Sequence, residues 1–135
     1  MARNHNILYV GIDINNNIKI GMTQQTARAR HNSADYKICY YSDAGYGTMT
    51  RADLLYAEAY LRRAFKHHYE QVSTDRFIRD DRDTWIHIFM TIIKELKHKE
   101  GYPFEEKVTE LIPIDEVADR LKWYGYTMTQ IVQNW

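Results

Sequence analysis

Ile7-Leu8-Tyr9-Val10-Gly11-Ile12-Asp13-Ile14-Asn15-Asn16-Asn17-Ile18-Lys19-Ile20-Gly21-Met22-Thr23 is the stretch on which the reading of this chain turns. Two apolar, β-branched runs flank three asparagines, a residue type that tolerates positive φ in tight turns. A β-hairpin is expected, with strands over 7–13 and 18–22. Strand alternation sorts its side chains onto two faces. Leu8, Val10, Ile12, Ile18, Ile20 and Met22 make an apolar core face. Tyr9, Gly11, Asp13, Lys19, Gly21 and Thr23 make the other. On that second face two glycines leave a bare patch beside a phenol and an ammonium. Glycine in a strand often marks the close approach of a backbone or a ligand.

Working outward, Thr23 or Thr26 caps a short helix to about Ser33 that carries Arg28, Arg30 and His31. Tyr36 to Ser42 is a third strand by composition, and Arg76-Phe77-Ile78 offers one more short one. Thr50-Arg51-Ala52-Asp53 has the form of a capping box, with Asp in place of Glu. It opens a helix to about Tyr69. Leu54, Glu58, Leu61 and Phe65 fall on one face of that helix. Thr84 to Lys99 forms a further helix with the stripe Trp85, Ile88, Phe89, Ile92 and Leu96, closed by Gly101. A polar segment from Glu105 and helices over Ile114–Tyr124 and Thr127–Trp135 complete the chain. The expected fold is α/β: a small, mainly antiparallel three-stranded sheet flanked by helices, with an α-helical C-terminal extension. Residues 1–80 would form the core, and 81–135 an extension packed on it.

The 135 residues fit one domain, and an apolar fraction of 44% is enough for a packed core. Lys and Arg total 18 against 18 Asp and Glu, which excludes a uniformly basic nucleic-acid glove. The balance hides an asymmetry: residues 1–71 hold 9 against 6 (+3), and residues 72–135 hold 9 against 12 (−3). An anionic partner would favour the first half. One cysteine, Cys39, leaves no internal disulfide and suits a reducing compartment. With a polar N-terminus and no long apolar run, the chain reads as cytoplasmic and without membrane association.

Glu58 is the carboxylate that asks for an explanation. Buried, charged and unpaired, it would cost at least several kcal/mol. It therefore needs an Arg partner, a raised pKa or a cation, and one carboxylate with waters and a substrate phosphate suits Mg²⁺ or Mn²⁺. Tyr9 is a poor base unless a neighbouring Lys or another cation lowers its pKa. Tyr36, Tyr40, Tyr41 and Tyr46, around the loop before the Glu58 helix, can pack in strands or stack on bases. His67 and His68 are adjacent and diverge on a helix, while His87 and His98 lie too far apart on one helix, so no zinc site is expected. Residues 116–131 follow helix-turn-helix spacing only loosely, with Gly125 too late, and are acidic. They are expected to pack on the core.

The order of these features resembles the GIY-YIG nuclease family over roughly residues 7–78. Leu8-Tyr9-Val10 stands where the first triplet belongs, and Lys19-Ile20-Gly21 where the second belongs. Gly21-Met22-Thr23 matches the G-x-T that commonly follows. The Arg-bearing helix and the Ala57-Glu58 helix match the third and fourth motifs. The Lys-Ile-Gly form is most similar to a phage and bacterial branch of the family. The resemblance implies a metal-dependent endonuclease that hydrolyses DNA phosphodiesters. Glu58 would hold the metal. Tyr9 would activate or relay the attacking water, with Lys19 supporting it or serving as the base. Arg30, or Arg28 in its place, would hold the scissile phosphate. Gly21, Thr23, Arg28, His31 and Arg62 would line the DNA path. Double-stranded DNA is the implied partner, and a homodimer is one way to cut both strands. The alternative is a module of the same fold without catalysis that binds nucleic acid or a protein, as in phage–host conflict.

Overall fold

The computed structural model describes residues 5–27, 30, 35–45, 49–80, 84–113 and 116. The hairpin forms as its alternation dictates: β1 (Ile7–Asp13) and β2 (Asn17–Thr23) pair antiparallel, with Leu8 opposite Met22, Tyr9 opposite Gly21 and Gly11 opposite Lys19. Asn16 takes φ +64° in the turn. Asp13 organises that turn: its Oδ1 accepts the N–H groups of Asn15 (2.9 Å) and Asn17 (2.8 Å). Its Oδ2 accepts Arg76 Nη1 at 3.0 Å, and Arg76 Nη2 reaches Asp35 Oδ2 at 2.6 Å. Only 1% of the Asp13 side chain is exposed. Its loss would leave two backbone donors without their acceptor and take one of the carboxylates from Arg76, at about 2 kcal/mol. Asp13→Ala is therefore expected to lower the urea midpoint by a corresponding amount with little change in the slope of the transition.

β3 (Tyr36–Asp43) pairs on the other side of β1, with a bulge between Val10 and Gly11. The sheet is larger than the three strands expected. Among the described residues it has six, in the order β4-β5-β2-β1-β3-β6, every pair antiparallel. The additions are β4 (Gln71–Ser73), β5 (Arg76–Ile78) and β6 (Thr109–Glu110). Two or three residues are too few to show a period, and their strand state is imposed by the ladders they join. β5 lies along β2 and β6 along β3, so β1 is central. All seven of its residues are buried.

α1 (Arg51–Lys66) starts at the expected capping box: Thr50 Oγ1 accepts the Asp53 N–H and Asp53 Oδ2 accepts the Thr50 N–H. It packs on β1, β2 and α2 (Thr84–Glu100). Its buried stripe is Leu54, Ala57, Leu61 and Phe65, with Glu58 half-buried at the edge rather than in the centre. Small Ala57 lets the helix sit close to the sheet, and the larger, charged neighbour turns to the flank. One continuous core holds the apolar hairpin face, α1, Trp85, Phe89, Ile93 and Leu96 of α2, and Phe104 and Ile112 beyond it. That core crosses residue 80 without a break. A second, smaller cluster (Ile7, Tyr9, Ala27, Tyr36 and Ile38) lies on the opposite face of β1. Among the described residues no helix is long and apolar enough to cross a membrane. The helices expected after residue 113 lie outside the described residues, as does Tyr46.

Candidate functional site

The site grows from the second face of the hairpin, and that face is not bare. Gly21 sits opposite Tyr9, and the phenol ring lies across it: a methyl group built on Gly21 would come within 2.2 Å of the Tyr9 hydroxyl. Gly11 is filled from the other side, by the backbone of β3. The glycines accommodate close neighbours instead of leaving an open floor. A glycine looks empty in sequence whatever fills the space across the ladder.

Tyr9 is 1% exposed. Its hydroxyl shares a 2.8 Å hydrogen bond with the Tyr36 hydroxyl, and the two rings stack at 5.9 Å, within 8° of parallel. Arg30 arrives on one helical turn, its N–H donating to the Thr26 carbonyl at 3.1 Å. Its side chain hydrogen-bonds the Tyr9 phenol, which raises the pKa of the guanidinium. The phenol itself is pushed well above its ordinary 10, first by burial and then by the Tyr36 hydrogen bond, with Arg30 pulling the other way. Tyr9 is therefore a neutral phenol at physiological pH, not the phenolate that a nearby cation was expected to favour.

Lys19 does not face Tyr9 directly. Its ammonium forms an ion pair with Asp75 and lies 5.4 Å above the Tyr36 ring. Asp75 sits in the turn between β4 and β5, where its carbonyl accepts the Ile20 N–H at 2.9 Å. Burial works against its charge, but the hydrogen bond and charge of Lys19 outweigh that and keep the carboxyl below the usual range. Glu58 shows the opposite balance. Burial raises its pKa, Arg62 and Lys19 lower it, Asp75 raises it, and the sum is upward. Arg62 Nη1 stands 3.7 Å from Glu58 Oε1, one helical turn on.

The expected residues thus form a connected set. Arg30, Tyr9 and Tyr36 touch, Lys19 joins Tyr36 to Asp75, and the charges of Lys19 and Asp75 act on Glu58. Arg62 is drawn to Glu58. Thr23 is buried at the end of β2, where its Oγ1 accepts the Gln25 N–H at 3.0 Å. Arg28 and His31 lie outside the described residues. Reading the sequence missed Asp75 altogether and missed Tyr36 as the partner of Tyr9. The available signal for Asp75 was the turn chemistry of Ser73-Thr74-Asp75 before a short strand. Its pairing with Lys19, 56 positions away, has no local signature.

For a divalent cation, the candidate donor is Glu58, one half-buried carboxylate whose pKa burial raises, while Asp75 is engaged by Lys19. That suits a hard ion that keeps most of its waters. Among the described residues no three His, Cys, Asp or Glu side chains converge. Comparison with protein-family models, with curated proteins and with solved structures finds no match.

Proposed function

We propose that this protein is a metal-dependent DNA endonuclease of the GIY-YIG type, hydrolysing phosphodiester bonds. The observation that carries the reading is the arrangement around Tyr9: a phenol bonded to an exposed guanidinium and to Tyr36, whose ring lies 5.4 Å from the ammonium of the Lys19–Asp75 pair. In this reading Arg30 holds the scissile phosphate and stabilises the charge that develops on it. Neutral Tyr9 serves as a hydrogen-bonded relay: it orients the attacking water and passes that water's proton to a phosphate oxygen, from which it goes to the leaving oxygen. Tyr36 fixes the phenol in place. Lys19, in its ion pair with Asp75, supports the phosphate side of the site. Glu58 would hold Mg²⁺ or Mn²⁺, which supplies Lewis acidity at the phosphate when bound. One such site cuts one strand, so cleavage of a duplex takes a homodimer or two successive nicks.

A second reading, a binding module of this fold without catalysis, is favoured by the near-complete burial of Tyr9. A supercoiled plasmid distinguishes the two. With Mg²⁺ the protein should convert it to nicked circles, and EDTA should stop the reaction. Tyr9→Phe keeps the ring over Gly21 and removes only the hydroxyl. It should slow nicking by about two orders of magnitude, as expected for a group that moves a proton. An inert wild-type protein that still binds DNA in a salt-sensitive way would establish the module instead.

A further inference from the structure

The end of α1 carries more cations than the site uses. Arg62 is drawn to Glu58, but Arg63 and Lys66 follow it, with His67 and His68 just beyond the helix. Arg63, Lys66 and both histidines are exposed. Among the described residues no carboxylate forms an ion pair with Arg63 or Lys66. The surface they cover is concave. One hollow of about 460 Å³ is lined by Arg62, Arg63 and Lys66 together with Gln71 and Thr74, the residue before Asp75. A second, of about 640 Å³, lies between α1 and α2 and takes in Arg63, His67, His68 and His87. Arg63 belongs to both. Arg63 thus stands between the two hollows, the first beside Thr74 and Arg62 at the edge of the Glu58–Asp75 site and the second against α2; together they form a channel. Glu95 also borders the second hollow, where its carboxylate accepts the Tyr60 hydroxyl at 2.8 Å.

We propose that this channel is the track for the sugar–phosphate backbone of duplex DNA on the flank of the cut site, with Arg63 and Lys66 each meeting one phosphate. The assignment rests on the nuclease reading for its location and on charge complementarity for its partner. It accounts for a chain of zero net charge holding a polyanion, because the positive charge is concentrated where the backbone would lie. The competing explanation is local: cations in the last turns of a helix complement its dipole. That role predicts lost stability and unchanged DNA binding.

The test is the salt dependence of binding to a labelled 20-base-pair DNA duplex in EDTA, where nothing is cut. Each phosphate contact contributes about −0.9 to the slope of log K against log salt. Arg63→Gln with Lys66→Gln should make the slope about 1.8 units shallower and weaken binding at least tenfold at moderate salt. Lys94→Gln with Lys97→Gln, on the exposed side of α2, should leave the slope alone. Thermal melts of both variants should stay near the parent value. An unchanged slope in the first variant, with or without a lower melting temperature, overturns the track. So does a parent protein that fails to bind the duplex, or one that binds a double-stranded RNA of the same sequence equally well. If the slope falls as expected while the parent nicks no plasmid in Mg²⁺, the track stands and the nuclease reading fails. If the parent nicks plasmid and the slope is unchanged, the nuclease reading stands and the track fails.

Discussion

Glu58→Gln is expected to reduce Mg²⁺-dependent nicking at least a hundredfold and, in the metal-free protein, to leave stability equal or higher at neutral pH. The two halves of that result have one cause. Burial lifts the carboxyl above its ordinary 4.5, ahead of the opposing pull of Arg62 and Lys19. Between the ordinary value and the raised one, the unfolded chain releases this proton while the folded chain retains it. Ionisation of Glu58 therefore favours the unfolded state as pH rises. The cost is absent below the ordinary range and complete above the raised value. A neutral amide of the same shape avoids it, so the melting-temperature difference between variant and parent should be larger at pH 7 than at pH 4. Mg²⁺ should reverse the order by raising the melting temperature of the parent and not that of the variant. Melts at two pH values with and without Mg²⁺, beside the plasmid assay, check both halves. Undiminished nicking by Glu58→Gln would remove the metal role from this residue.

Gly11→Ala is expected to be the most damaging single methyl group in the sheet. A Cβ at Gly11 would lie 2.1 Å from the Lys37 carbonyl oxygen, 2.9 Å from its carbon and 3.0 Å from the Ile38 Cα. All three are backbone atoms of a strand already fixed to β1 on one side and β6 on the other. No rotamer relieves the contact, so β3 must move at the bulge and take its ladder with it. The cost should be at the upper end for overpacking, about 3 kcal/mol. That corresponds to a fall of roughly 10 °C in melting temperature for a domain of this size. At Gly21 the methyl would instead meet the Tyr9 hydroxyl and Cζ, at 2.2 and 2.3 Å, which are side-chain atoms rather than backbone. Scanning calorimetry of Gly11→Ala gives the number directly, and a loss under 1 kcal/mol would show that the bulge is softer than its contacts imply.

What could be read in the sequence was local. Alternation placed Tyr9, Gly11, Lys19 and Gly21 on one face, and the structure pairs them as Tyr9 with Gly21 and Gly11 with Lys19. Thr50 and Asp53 announced the start of α1. What could not be read was what lies across from what. The open patch expected at the glycines is closed by a ring and a backbone, both supplied by paired strands. Glu58 was placed on the stripe because residues three and four positions on from Leu54 both fall near its face. Packing gave the centre to Ala57. Asp75 was invisible because its importance comes from a partner far away in the chain, and the three shortest strands carry no pattern of their own.

The position of β5 gives the molecule an order of assembly. β1 and β2 can pair as soon as both have been made, because three residues separate them. The outer edge of β2 waits for β5, and Lys19 waits for Asp75, until α1 has also been synthesised. Closing contacts at that range is the slow part of folding. During this interval the hairpin presents an uncovered strand edge, and the lysine beside it is the kind of charge that keeps such an edge from pairing with another chain. In the finished sheet that edge is covered by β5 and the charge of Lys19 is taken up by Asp75, so one short hairpin closes both.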